Sequence, residues 1–423
     1  MNFKDQNNSD IEFWFDSSGG PEEYTKNNFS GKSPKYYFYG SLNEITLIDI
    51  ESGAVSYIHE NVFDFIEEKL NEEMHNPNGI FVSYLSYDLL GETLKNPEDV
   101  KCYPDFFCAY FETFSLQPQI HTSQCLQVLS SPNSSQYSLN SNMTDEEYLN
   151  KVRRVKEEIK AGNVYQVNLT RAYNVQATVD CKREQFRELD LYLRLRKESP
   201  NPFGGYFKTP FLSILSSSPE EFIYINNFFS KSRFIRTRPI KGTLEKSTYT
   251  VDEKNSAENI MIVDLERNDL SKICKPNTVK VSKLLDVERY KHLNHVVSTV
   301  CGVLRDNISL RSIFEATFPS GSITGAPKIA AMNLIHELEP SLRGAYTGSF
   351  GYIKTNGEIN FNILIRTIFI EHRADSVNGI KMLKFNVGGG IVADSVAEYE
   401  LEEIKLKSIG ILNSVCTDDS KIP

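Results

Sequence analysis

Two Asn-Gly pairs in the last third of the chain, Asn356-Gly357 and Asn378-Gly379, stand between strand-like runs at Tyr346 to Ile353, Ile359 to Glu371 and Lys381 to Ala393. Asn-Gly accepts the positive φ angles of a tight reversal, so the three runs are expected to pair antiparallel. Tyr36-Tyr37-Phe38-Tyr39 reads as an aromatic strand, and Gly79 to Tyr87 and Phe106 to Phe111 as buried ones. Thr144 sits three residues before Glu147, a capping box that opens a helix over 145–160, and Ala161-Gly162-Asn163 ends it. Val164 to Thr170 then alternates like a strand. Further helices are expected at about 61–74, 184–197, 255–273, 309–315, 326–338 and 396–412. Antiparallel sheet with helices layered outside is an α+β architecture. The Ser-, Asn- and Pro-bearing stretch Thr122 to Met143 reads as a linker, dividing 1–140 from 144–413. At 423 residues the chain suits two domains or one large interleaved unit, and it has no self-similar period of a repeat fold.

A formal net charge of -10, with no Lys/Arg run to reverse it locally, argues against a nucleic-acid surface. No apolar run is long enough for a membrane helix, and the polar start Met1 to Asn8 lacks a leader pattern, so a cytoplasmic protein is expected. The seven cysteines form no CxxC pair and make an odd count, so they read as reduced thiols, mostly in the core.

Chemistry concentrates at a few places. Pro239-Ile240-Lys241-Gly242-Thr243 fixes one lysine in a turn after the strand 232–238, where its amine can be presented to a pocket. Lysine is a nucleophile only as the neutral amine, which burial or a nearby cation arranges. Gly321 to Lys328 is a Gly/Ser/Thr turn running into a helix that starts at Pro327, a place where free N–H groups suit an anion. It lacks Gly-Lys-Ser/Thr, which excludes a nucleotide P-loop. Glu258 falls with Met261, Ile262 and Leu265 on a helical stripe, so its carboxylate is expected at the head of the buried face and in need of a cation. Glu400, Glu403 and Lys407 lie on the last helix, either as a solvated face or as a second source of carboxylate for Mg2+. His295 stands before the apolar run Val296 to Val300 and is either a structural donor or a base. Arg366, inside the strand 361–370, requires a partner such as a ligand carboxylate. Glu220, in Ser218-Pro219-Glu220, is a loop-end carboxylate or a proton donor.

Together these segments resemble the chorismate-utilising enzymes, and within them component I of aminodeoxychorismate synthase. The resemblance runs densely over 145–410, through Gln166-Val167-Asn168-Leu169, Ser218-Pro219-Glu220, Pro239 to Thr243, Ile262 to Leu270, Gly321 to Lys328, Tyr346-Thr347-Gly348 and Gly388 to Ser395. It implies a two-subdomain sandwich of antiparallel sheets flanked by outer helices. It implies chorismate as substrate, with Mg2+ held by Glu258 and Glu403 on the ring carboxylate. Tyr346, Arg366 and the backbone of Gly388, Gly389 and Gly390 would bind the substrate's carboxylates, with Ser322, Thr324 and Gly325 at the pocket edge. His295 matches an active-site histidine and Glu220 the general acid/base. Lys241 stands where anthranilate synthases carry alanine, and would attack C2 of chorismate to leave a covalent adduct that ammonia displaces at C4. No cysteine sits in a Gly-x-Cys-x-Gly turn, so ammonia is expected from a glutamine amidotransferase partner in a heterodimer. The chain departs from the pattern in the short segment 243–258, in Glu221 where relatives are basic, and in the lack of a clear Leu-Leu-Glu-Ser motif. Glu400 and Glu402 compete with Glu403 for the metal role; the ungapped reading from Asp394-Ser395 selects Glu403.

Overall fold

A computed structural model describes residues 10–24, 28–91, 102–116, 137–178, 188–291, 293–372 and 380–415. Two antiparallel sheets carry the fold. The first runs Gly325–Ala326 (β18), Gln166–Thr178 (β10), Ile380–Ile391 (β22), Thr367–Glu371 (β21), Leu212–Ser218 (β12), Phe203–Lys208 (β11), Glu12–Asp16 (β1), Asn28–Lys32 (β2) and Ser115–Leu116 (β8), with Tyr137–Ser141 (β9) beside β10. The second runs Ile240–Glu245 (β15), Leu293–Val303 (β17), Phe234–Arg238 (β14), Glu221–Ile225 (β13), Ile359–Ile363 (β20), Ser349–Lys354 (β19), Ile80–Leu85 (β6), Phe106–Phe111 (β7), Tyr36–Ser41 (β3), Glu44–Asp49 (β4) and Val55–Ile58 (β5), with Lys280–Arg289 (β16) beside β17. Strands from the first 116 residues lengthen both sheets, so early and late parts of the chain are interleaved.

Period-two alternation explains the layering. On β3, Tyr36 and Phe38 enter one core while Tyr37 and Tyr39 enter another; on β7, Phe106, Cys108 and Tyr110 divide in the same way from Phe107, Ala109 and Phe111. Strands buried on both faces can be apolar at every position, which is why these runs lack alternation in polarity. The core holding Phe107 also contains Phe207, Leu212 and Phe369 of the other sheet and is the filling of a sandwich.

Helices cover the outer faces. Val62–Glu72 (α1) and Leu310–Thr317 (α5) close the second sheet's side together with Glu253–Ser271 (α4). Asp145–Lys160 (α2), Glu188–Glu198 (α3), Lys328–Leu338 (α6) and Ala397–Val415 (α7) close the first. The capping box forms as expected: Glu147 N–H donates to Thr144 Oγ1 at 3.2 Å and Thr144 N–H to Glu147 Oε2 at 2.6 Å. No helix among the described residues is long and apolar enough to cross a membrane. Cys108 and Cys274 are buried free thiols, and burial pushes Cys274 up to about 12; Cys125, Cys181 and Cys416 lie outside the described residues, as do most of the expected linker and Asn378-Gly379.

Three local expectations are corrected. The run 359–371 is not one strand: it breaks at Leu364 to Arg366, where Arg366 takes φ 51°, and its halves belong to different sheets. Lys241 is not in an open turn but in β15, where two residues, Lys241 and Gly242, between Ile240 and Thr243 face one, Val296, between Val297 and His295. This bulge is made possible by Gly242 at φ 101°. On α4 the buried stripe is Asn259, Ile262, Val263, Glu266, Asp269 and Leu270, rotated one position from that expected, which leaves Glu258 at its edge.

Phe107 joins the sheets, its ring lying within 5.7 Å of Phe207 and 5.3 Å of Tyr37 between centroids. Truncation leaves a cavity that a sandwich closed on both sides cannot collapse. Phe107→Ala is expected to lower unfolding free energy by about 3–5 kcal/mol, whereas truncating the exposed Tyr57 should change it by less than about 0.5 kcal/mol. Urea titration followed by circular dichroism checks both.

Candidate active site

Lys241 and Glu220 come together where strands leave their sheets. Glu220 lies between β12 and β13, fully enclosed, and its Oε1 accepts from Ile240 N–H at 3.0 Å. Burial pushes its carboxyl above the ordinary carboxylate range, against the Ser322 hydroxyl, the Ile240 N–H and the charges of Lys241 and Arg366. Lys241 is buried, and its Nζ donates to Asn168 Oδ1 at 3.3 Å and pairs with Glu258 Oε1 at 3.3 Å.

Asn168 and Gln166, two apart on β10, face the same way and supply the floor. Gln166 Nε2 donates to Glu258 Oε1 at 2.8 Å, and Asn168 Nδ2 to the Ser322 carbonyl at 2.9 Å. Arg343 fixes this floor from behind, donating to the carbonyls of Asn168 and Ile323 at 2.8 Å each while paired with Glu339 at 2.8 Å. Gln166 and Asn168 appeared in the sequence only as part of a motif. Two amides at i and i+2, alternating with the buried Val167 and Leu169, are the signal that marks them.

His295, on β17, stacks edge-on against Tyr290 at 4.7 Å. Arg366 Nη2 lies 3.4 Å from His295 Nε2, and Thr243 Oγ1 lies 3.3 Å from Nδ1. A guanidinium can only donate, so Nε2 is the acceptor and the proton sits on Nδ1. Burial, then the Arg366 charge, push the imidazole down to about 3, so it is neutral at physiological pH. Arg366 makes no ion pair with a carboxylate among the described residues, and burial pulls its pKa down.

The remaining expected residues divide. Ser322 and Thr324 are buried in the turn Gly321–Ile323 and its exit, Thr324 Oγ1 donating to the Ser320 carbonyl at 3.0 Å. Gly325 at φ 146° lets β18 lie against β10, where a side chain would strike the Gln166 carbonyl. Gly388, Gly389 and Gly390 pair with Thr170, Leu169 and Asn168 on β10. Tyr346 is set one layer back, beside Arg343 and Glu339.

Glu403 is half-exposed and pairs with Lys407 at 2.7 Å; Lys407 also donates to the Gly388 carbonyl at 3.1 Å. Burial opposes ionisation of Glu403, yet Lys407, Lys254 and Lys241 hold its carboxyl below the ordinary range. Glu400 is buried, 3.4 Å from Lys254, and Glu402 is exposed beside Lys405. Glu258 and Glu403 therefore share the field of Lys241, and a methyl group at Gly390 would lie 2.5 Å from Glu258 Oε1. Two carboxylates are oxygen donors of the kind a hard divalent cation takes, but among the described residues no group of three or more His, Cys, Asp or Glu side chains gathers there. Glu221, one of the departures from the family pattern, is buried and bidentate to Arg236 at 2.7 and 3.0 Å.

Residues 13–413 match the family model described as chorismate binding enzyme. The chain belongs to that family. Component 1 of aminodeoxychorismate synthase from Escherichia coli strain K12 is 40% identical over 274 residues, covering 62% of this chain and 56% of the relative. Anthranilate synthase component 1 from Synechocystis is 35% identical over 286 residues, covering 65% and 54%. The matched stretch thus spans little more than half the length of these relatives. The crystal structure of anthranilate synthase component I from Streptococcus pneumoniae TIGR4 superposes with a TM-score of 0.69 at 23% identity, over 97% of this chain and 95% of that one. The menaquinone-specific isochorismate synthase of Escherichia coli gives 0.64 at 17% identity, over 91% and 89%. These likenesses carry the α+β sandwich that the strand and helix pattern predicts.

A neutral buried histidine links stability to pH. Between about 3 folded and 6.5 unfolded, the unfolded chain binds the proton and the folded chain does not, so this share of stability is lost as pH falls. From about pH 7 to about pH 5 the loss through His295 should be about 2 kcal/mol. Urea midpoints at the two pH values should therefore differ less in His295→Gln than in the native chain.

Proposed function

We propose that this chain aminates chorismate to 4-amino-4-deoxychorismate, with Lys241 as nucleophile. The observation that supports this most is a buried lysine held between Asn168 and Glu258, in the field of a buried Glu220 carboxyl whose pKa is raised. In the proposed sequence, Lys241 gives up its ammonium proton to solvent and attacks C2 as the free amine, taking a proton back after release. The ring double bonds shift towards C4, and the 4-hydroxyl leaves as water with a proton from Glu220. Ammonia then bonds to C4, the double bonds return, and Lys241 departs from C2 with the surplus proton returned to Glu220. Chorismate and ammonia are thereby converted to product and water.

Arg366, charged and without a protein carboxylate partner among the described residues, would take one substrate carboxylate, and Lys407 with the Gly388 to Gly390 backbone would border another. Neutral His295 would accept from Arg366 and so orient it. Glu258 and Glu403 would hold Mg2+, which when bound offsets the charge of the ring carboxylate. Ser322, Thr324 and Gly325 would shape the pocket edge. General acid help from Glu220 is worth on the order of 10² to 10⁴ in rate.

Ammonia would come from a glutamine amidotransferase subunit. The name "component 1" borne by the relatives supports a second component for this chain too. A cytoplasmic setting goes with this reading, which the buried free thiols suit. A second reading, anthranilate synthesis, is favoured by the 35% identity with the Synechocystis relative.

Purified chain given chorismate, Mg2+ and ammonium should yield aminodeoxychorismate by liquid chromatography and mass spectrometry. Lys241→Ala and Glu220→Gln should each lower kcat by at least about 10²-fold. Glutamine without a partner should give no product. Anthranilate as the product would select the second reading, and full activity in Lys241→Ala would remove the covalent step.

A further inference from the structure

A second buried carboxyl lies next to the site and has no part in the chemistry above. Glu266, on α4, is fully buried. Its Oε1 accepts from Ser320 Oγ at 2.9 Å and from Gly321 N–H at 3.0 Å, while Oε2 has no hydrogen-bond partner among the described residues. A buried, half-satisfied carboxyl is costly, which calls for a reason beyond filling space. The loop it holds is pressed against the helix: a methyl group on Gly321 would lie 2.5 Å from Leu265 Cδ2 and 3.2 Å from Glu266 Oε1.

From that anchor the loop reaches both proposed reacting groups. Ser320 Oγ accepts from Ser322 N–H at 3.2 Å. The Ser322 hydroxyl hydrogen-bonds the Glu220 carboxyl. The Ser322 carbonyl accepts from Asn168 Nδ2 at 2.9 Å, and Asn168 Oδ1 in turn accepts from Lys241 Nζ at 3.3 Å. One residue off the site thus stands behind both the acid and the nucleophile.

We propose that Glu266 is a positioning residue that clamps Ser320 and Gly321, and through them sets Ser322 against Glu220 and Asn168 against Lys241. The inference rests on the proposed reaction for its kinetic readout. Burial, first, pushes the Glu266 carboxyl up to about 7, with Lys328 of α6 opposing and Asp269 of α4 and Glu220 of the β12–β13 link reinforcing. The Ser320 hydroxyl favours the ionised form. The clamp therefore changes charge near neutral pH, and its ionised form sets a second negative charge near Glu220.

Two substitutions separate positioning from simple packing. Glu266→Gln keeps the Oε1 acceptor and the shape but cannot ionise; Glu266→Ala removes the clamp. In the ammonia-dependent assay, Glu266→Ala should lower kcat about 10- to 100-fold with the chorismate KM within about threefold of native. Glu266→Gln should restore kcat to within about threefold and lack the inflection near pH 7 that is expected of the native profile. Hydrogen exchange over residues 318–326 should quicken in Glu266→Ala alone. A folded Glu266→Ala with native kcat, or a Glu266→Gln that is as impaired as Glu266→Ala or keeps the native inflection, would overturn the proposal. If Glu266→Ala does not fold, the Glu266→Gln profile decides. Native chain that makes anthranilate or no product would instead defeat the reaction assignment, with the exchange comparison still reporting on the clamp.

Discussion

Two antiparallel strand pairs in separate sheets are in fact one pair of chains that crosses from sheet to sheet. β12 pairs with β21 in the first sheet, and their continuations β13 and β20 pair in the second. A chain that leaves a ladder strands its backbone donors and acceptors, which is tolerable in a core only if they find new partners. Here the two crossings satisfy each other: Ser217 N–H donates to the Arg366 carbonyl and Ile363 N–H to the Glu220 carbonyl, each at 3.1 Å, while Ser218 Oγ donates to the Ile363 carbonyl at 2.6 Å. Glu220 and Arg366 are therefore fixed by main chain at the seam of the sandwich. The bulge of Lys241 and the carbonyl of Ser322 are built outward from that seam.

Charge at the seam follows from who can reach it. Glu220 has an N–H, a hydroxyl and, among the described residues, no ion pair, and burial dominates. His295 is kept neutral by burial and by Arg366, and as an acceptor it gives the guanidinium a direction without cancelling its charge. The excess positive charge is thereby left for an anion, as required of a protein whose overall balance is -10.

Elements with strong local signals were legible in the sequence. Thr144 and Glu147 mark a helix start within one turn, and short aromatic runs such as Phe106 to Phe111 have the length and residue types of doubly buried strands. The crossing at Leu364 to Arg366 was not legible, because each flank is apolar and β-branched and the break depends on pairing partners more than a hundred residues away. Lys241 was found by its neighbours Pro239 and Gly242, but Gly242 signals a bulge as readily as a turn; the pairing with β17 decides. Glu266 was passed over because a glutamate in a charged helix reads as solvated. Its burial comes from Gly321, whose missing side chain lets the loop close over it.

The acidic side chains around Lys241 are pushed apart by position alone. Glu220 lies on a crossing between two cores, where burial outweighs its neutral donors and the charges of Lys241 and Arg366, and its carboxyl rises. Glu403 lies on α7 with Lys407 one turn on and Lys254 across from it, and its carboxyl falls. A proton donor needs the first environment and a cation ligand the second. Exchanging the roles would demand that a crossing backbone carry lysines into the core or that an exposed helix face be stripped of them. The fold permits neither without opening the seam, so the division of labour proposed for these carboxylates follows from the opposite charge environments that the sheet crossing and α7 give them.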